Sequence, residues 1–199
     1  YNEACARDCS TLEQDLVLCE KAGFDYIEIR LDMLTDYLKR HTVEELAAFF
    51  CTSRLKPHAF NALYLYPEFL SEGDDEARQK ELLEEFRLGC EVGRAIGSHY
   101  FIIVPPLQRD PAGGPYTGSW EDTFSNCVRI LKELSRRAEP YDMNLCFELV
   151  GFERSSVRSI GQADAVVRAV DRPNVGFVFD SYNIFLNGGC NDFSAIGSV

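Results

Sequence analysis

Two carboxylates stand out because of where the sequence puts them. Glu148 lies near the end of the run NLCFELV (144–150), and Asp180 ends the run VGFVFD (175–180). Both runs are apolar and rich in the residue types that favour strands. At period two, Asn144, Cys146, Glu148 and Val150 share one face of the first run, and Leu145, Phe147 and Leu149 take the other. In the second run Gly176, Val178 and Asp180 lie opposite the bulky Phe177 and Phe179. Both acids therefore point to the less bulky side of their strand. A buried charge is costly unless it is paired, protonated or bound to metal. Catalysis or metal binding is one reading of this placement; a structural salt bridge to Arg30 or Arg154 is the other.

Glu28 and Arg30 alternate to the same side on DYIEIR (25–30), where they line the same mouth or form a mutual or neighbouring ion pair. Asn61 is a lone polar group in HAFNALYL (58–65), set to contact substrate or to satisfy a backbone group. The three histidines are placed away from such a mouth. His58 and His99 precede their strands, His41 stands at a helix start, and none is expected to be catalytic. The loop GGPYTGS (113–119) has two glycines at phosphate-loop spacing but no Lys after Gly118, so nucleotide binding is not expected and a substrate lid is the better reading. None of the eight cysteines forms a C-x-x-C pair. They read as reduced, small core hydrophobes.

Alternating strands and helices must position these residues. Tyr1–Ala4 reads as the stub of a first strand. Residues 11–22 form a helix with Leu12, Leu16 and Cys19 on one face and Gly23 as its stop. Thr42 opens another, with Glu45 at capping-box spacing and Leu46, Phe49 and Phe50 as its apolar face. An acidic helix runs from about Asp75 to Ile96 and ends at Gly97. A strand at 100–105 is followed by a loop rich in Pro and Gly. Ser119 and Asp122 signal the start of a helix that reaches Ala138. The strand at 144–150, a helix at 159–170 and the strand at 175–180 complete the pattern, which fades after Asn183. Repeated βα units force parallel strands, because each helix is a crossover. Six such units are counted, in one domain with no linker. An open doubly wound sheet fits, and so does a (β/α)8 barrel lacking its last quarter; a whole barrel takes about 250 residues.

The chain has 199 residues, 46% of them hydrophobic, with 32 acidic and 20 basic side chains and a formal charge of −12. Such a surface repels phosphate backbones, so no nucleic-acid partner is expected. No apolar run approaches the length of a membrane span. No leader is visible and the first residue is not Met, so the start reads as trimmed and the protein as cytoplasmic.

The strings NEA, LCEKAGFDYIEIR, LKPHAFNALY, CFELVG and RPNVGFVFDSYN resemble the xylose isomerase-like TIM-barrel superfamily. Within it they are similar to the sugar phosphate isomerase/epimerase group, and most of all to the bacterial inosose isomerases. The resemblance runs along nearly the whole chain and is weakest at 106–118. It implies a (β/α)8 TIM barrel with one divalent metal on its C-terminal rim, the metal being Mn, Zn, Co or Mg. The family ligands are a Glu ending the fifth strand, an Asp ending the sixth, then a His and a Glu. Glu148 and Asp180 match the first two, and the remaining His and Glu are expected beyond Val199. Relatives usually read D-x-x-H after the sixth strand, whereas this chain has Asn183, which can bond a hydroxyl but cannot titrate. The implied reaction is isomerisation or epimerisation of a small polyhydroxy ketone, an inosose or a ketose, with Glu148 catalytic. Glu28, Arg30, Asn61 and Asn183 are the expected substrate contacts, and the fold leaves room for a homo-oligomer. A degenerate barrel without activity is the alternative. An endonuclease of the same superfamily is disfavoured, because the strand ends NALYL and IIVPP lack the extra His it would need. The 199 residues by themselves are expected to be inactive and poorly soluble, with open sheet edges.

Overall fold

The structure, a computed structural model, describes residues 1–6, 9–65, 76–108, 111–188 and 193. Five parallel strands form one sheet in the order β1-β2-β3-β4-β5, the same order as in the chain. They are β1 (Tyr26–Arg30), β2 (Lys56–Tyr64), β3 (Tyr100–Val104), β4 (Asn144–Glu148) and β5 (Val175–Val178). Neighbours in sequence are thus neighbours in space, as in a barrel wall, and not rearranged about a switch point as in a doubly wound sheet. The expected first strand is present only as an isolated parallel bridge from Asn2 to Glu28. A 3-10 helix at Glu3–Ala6 follows at once.

The crossover helices are α1 (Leu12–Ala22), α3 (Val43–Thr52), α4 (Glu76–Ile96), α5 (Trp120–Ala138) and α6 (Ile160–Val170). Their ends follow local rules. The Thr11 hydroxyl accepts the Gln14 N–H, and Gly23 closes α1 in the left-handed region at φ 80°. Thr42 with Glu45 and Ser159 with Gln162 form complete capping boxes. Ser119 caps α5 through the Asp122 N–H. The Asp75 start expected for α4 lies outside the described residues.

Two short helices were not expected. The first, α2 (Leu31–Tyr37), begins directly after β1, and the second, α7 (Ser181–Leu186), directly after β5. Both are too short to show a helical period, so only packing reveals them. β5 is also shorter than its apolar run. It stops at Val178, and Asp180 becomes the N-cap of α7, its carboxylate accepting the Tyr182 N–H at 2.8 Å. His58 is placed inside β2, not before it, with its ring between Tyr26 and Tyr100.

Alternation gives the sheet two unlike faces. Ile27, Ile29, Phe60, Phe101, Leu145 and Phe147 are sealed under the helices. On the opposite, inner face only a small apolar cluster forms, of Ala62, Ile102, Val104 and Val150 with Leu107, Cys146 and Val178 against it. The β2–β3 register slips between Phe60 and Leu63. Asn61 and Ala62 fall within that slip, where a local irregularity can re-aim a side chain. The seven described cysteines are all free thiols, with Cys19, Cys90 and Cys127 buried and Cys5, Cys9 and Cys51 exposed. No described helix is long and apolar enough to cross a membrane.

Candidate active site

The C-terminal ends of β4 and β5 bring the two carboxylates together. Glu148 is the last residue of β4 and is paired in register with Val178 of β5. Asp180 stands two residues beyond Val178. One side chain joins them: the Asn183 amide nitrogen on α7 donates to Glu148 Oε1 and to Asp180 Oδ2, each at 3.1 Å. The Asn183 side-chain oxygen Oδ1 accepts the Gly151 N–H at 3.2 Å. Gly151 must be glycine here, since a Cβ would overlap the main-chain carbonyl oxygen of Asn183. Arg158 in turn donates twice to the Gly151 carbonyl, at 3.2 and 3.3 Å. The loop after β4 and the start of α7 are thereby locked to each other. Neither Gly151 nor Arg158 was singled out from the sequence, because their roles exist only when α7 packs on that loop.

Glu28 occupies the same inner face. Its Oε1 accepts two amides, from Asn2 and from Asn61, each at 2.7 Å. Asn61 is therefore a partner of Glu28. Arg30 takes a neighbouring ion pair and not the mutual one: its guanidinium forks onto Asp32, two residues on, and not onto Glu28. The reason is local, since Arg30 is the N-cap residue of α2 and Asp32 lies in that helix's first turn. Arg30 and Asn61 still line a common cleft of about 430 Å³, with Asp32, Tyr64 and Glu85 on its walls. Burial raises the Glu85 carboxyl above its ordinary range.

The electrostatics follow from this crowding. Burial pushes the Glu148 carboxyl up to about 7, the Asp180 and Glu28 charges add to the rise, and the Asn183 amide opposes it. The charged groups acting on Glu148 are thus both acids. The Cys146 thiol, one face-step below, is pushed up to about 11 by burial and by Glu28, so it is a neutral wall group. Among the described residues no cluster of three or more His, Cys, Asp or Glu is placed to hold a metal ion. The two carboxylates nevertheless suit a hard divalent cation. They are oxygen donors that converge on one point, since a single amide nitrogen sits within hydrogen-bond reach of both.

The loop at 111–119 is stitched down on the same rim. Leu107 bridges Ser155, Gln108 N–H donates to the Arg154 carbonyl at 2.9 Å, and Tyr116 N–H donates to the Glu153 carbonyl at 3.0 Å. Arg154 is thus tied to the loop through the Gln108 carbonyl at 3.2 Å. Of the histidines, His41 contacts Glu13 and Glu45, and His99 contacts Asp142, all away from the Glu148 cluster.

Residues 16–196 match the family model of the xylose isomerase-like TIM barrel. The chain belongs to that family. It is 39% identical over 189 residues to the inosose isomerase of Bacillus velezensis, covering 94% of this chain and 64% of that protein. It is 37% identical over the same length to the inosose isomerase of Bacillus subtilis, covering 94% of this chain and 64% of that one. The chain thus spans a little under two thirds of the curated relatives it matches. Among solved structures, the IolI protein with a bound zinc atom superposes with a TM-score of 0.85 at 36% identity, covering all of this chain and 67% of that one. A D-psicose 3-epimerase superposes with a TM-score of 0.69 at 16% identity, covering 89% of this chain and 60% of that one, which shows a shared fold alone.

Proposed function

We propose that the protein is an isomerase or epimerase of a small polyhydroxy ketone, with an inosose as the first candidate substrate. The observation that carries this reading is Glu148, a carboxylate at the strand-end rim raised to about 7 beside a second carboxylate. The curated relatives, all inosose isomerases, support the same choice. Moving a carbonyl along a carbon chain, or inverting a neighbouring centre, requires removal of the proton α to that carbonyl. A base whose pKa lies near the working pH can both take that proton and return it. Glu148 has that property here because of burial and its two acidic neighbours.

Glu148 and Asp180 are the residues that would hold a divalent ion, which when bound polarises the carbonyl and the adjacent hydroxyl. Asn183 orients both carboxylates through one amide. Asn61 and Asn2 fix Glu28, which adds a further acceptor on the inner face. Arg30 and Asp32 form a neutral pair on the wall of the side cleft, suited to hydroxyl groups and not to a free anion. The nearby β4–α6 loop and the stitched 111–119 segment supply the wall that limits water.

The test is exchange in deuterated water. The protein, supplied with Mn, Zn, Co or Mg, is incubated with inososes and ketoses and followed by proton NMR. Deuterium entering the carbon next to the carbonyl, lost in Glu148→Gln, is the expected result. Exchange that persists unchanged in that variant would overturn the assignment of Glu148.

A further inference from the structure

Glu3 and Asp15 form a second pair of acids, separate from the one at the rim. Glu3 is 0% exposed and Asp15, on α1, is 3% exposed. Glu3 Oε2 accepts the Arg30 N–H at 2.7 Å. Its other oxygen, Oε1, is buried and has no hydrogen-bond donor among the described residues; the Asp15 carboxyl is its neighbour. Asp15 is better supplied. It accepts the Ser10 hydroxyl at 2.9 Å and the Tyr1 hydroxyl at 3.5 Å. Two ionised carboxylates cannot share a buried space, so the pair must hold a proton. The donors decide where it sits. Asp15 takes two O–H donors, whereas Glu3 Oε1 has none among the described residues, so Glu3 Oε1 carries the proton and donates it to Asp15.

The surroundings agree with this assignment. Burial pushes Glu3 up to about 8, the Asp15 charge adds to the rise, and the Arg30 N–H and charge oppose it. The other titratable groups facing the pair are the Tyr1 phenol and the Cys19 thiol, both raised by burial and so neutral.

We propose that Glu3 is a positioning residue for the rim site: a neutral carboxylic acid that ties the end of β1 to α1 and so delivers the adjacent Asn2 amide to Glu28. The geometry is a short chain of contacts. Asn2 bridges Glu28 in parallel, the Tyr1 carbonyl accepts the Glu28 N–H at 2.8 Å, and the Asn2 side chain reaches Glu28 Oε1 at 2.7 Å. Tyr1 also holds this segment, through its nitrogen on the Tyr26 carbonyl at 2.8 Å and its ring against Phe24; Glu3 fastens the side of Asn2 away from Tyr1. Ionising Glu3 beside Asp15 would drive the two acids apart and withdraw one of the two amides that hold Glu28. The importance of Glu28 rests on the isomerase reading; the fastening itself does not.

The test is Glu3→Gln. Gln keeps an oxygen on the Arg30 N–H, offers an N–H to Asp15, and cannot ionise. A carboxyl raised in the folded state binds its proton more tightly there than in the unfolded chain. Its contribution to stability is therefore full below about pH 4.5 and is lost as pH rises to about 8. Every other titrating group is common to the two proteins, so the part due to Glu3 is the difference between wild type and E3Q. The wild-type melting temperature should fall more steeply than that of E3Q as pH rises from about 4.5 to about 8. In parallel, the Asn2 side-chain amide signal in ¹⁵N NMR should shift through about pH 8 in wild type and stay fixed in E3Q. Identical melting curves against pH in the two proteins would overturn the protonated Glu3. A difference in melting with an Asn2 signal that never titrates would make Glu3 structural only and overturn the positioning role. Neither readout needs a substrate, so a failed exchange assay would leave the result for Glu3 standing.

Discussion

Phe147 and Glu148 are chain neighbours on opposite faces of β4, and they meet opposite environments. Phe147 is 0% exposed and packs among residues from several helices and strands. Glu148 faces a sparse inner side with Cys146, Asn183, Asp180 and Glu28 around it. The outer face is filled with large apolar groups that bury well and titrate with nothing. The inner face has a smaller apolar cluster below and acids at the rim, so Glu148 loses water without a cation among the described residues acting to offset it. Stability resides in the first face, and the conditions for chemistry in the second. One backbone alternation delivers both.

The comparison can be broken most forcefully at Phe147. Phe147→Ala should destabilise the fold by about 3–5 kcal/mol, the range for large aromatic side chains removed from cores. Chemical denaturation checks this, and a loss under about 1 kcal/mol would mean that the outer face is not the main source of stability. Its neighbour should behave in the opposite way. Glu148→Gln should leave the melting temperature near wild type and reduce turnover by more than about 10²-fold, the low end of general-base contributions. Turnover within a few fold of wild type, or an unfolded variant, would assign Glu148 to structure.

Asp180→Asn sharpens the division of labour within the rim. It removes a charge from the pair without removing the proposed base, so metal affinity should fall by about tenfold or more, while excess metal partly restores activity. Isothermal titration with the divalent ion measures it, and an unchanged affinity would end the ligand assignment. The smallest expected effect is a slope. Glu148 is raised from 4.5 to about 7 in the folded protein, so its contribution to stability is lost as pH rises from about 4.5 to 7. That part of the decline in melting temperature should vanish in Glu148→Gln and persist in Phe147→Ala.

Much of this arrangement was legible before any coordinates. The period of two in NLCFELV assigned the face of Glu148, because strand side chains alternate regardless of what surrounds them; it did not reach Asp180, which lies past the end of β5 and caps α7. The cap signals at Thr42 and Ser119 marked helix starts, because a hydroxyl three residues before a free N–H acts locally. The glycine stop at Gly23 was readable for the same reason. Local rules failed where the interaction was not local. Helices α2 and α7 span one or two turns and are held by packing, so no period announces them. Arg30 was expected on the inner face with Glu28, yet the turn into α2 offered it Asp32 at closer range.

The sequence alone determined the strand and helix alternation, the parallel sheet it forces, and the side of each strand on which its acids stand. Those properties depend on neighbours within a few residues, and the chain carries them wherever it is read. Only the tertiary structure decided that Asn183 would span Glu148 and Asp180, that Asn2 and Asn61 would meet on one oxygen of Glu28, and that Glu3 would be buried against Asp15. Each of these joins residues separated by a crossover or more, except the links from Asn183 to Asp180 and from Glu3 to Asp15. Their geometry exists only once the sheet has closed the distance. The raised carboxyls at Glu148 and Glu3 belong to the same class, since desolvation is a property of the packed molecule and not of any segment of its chain.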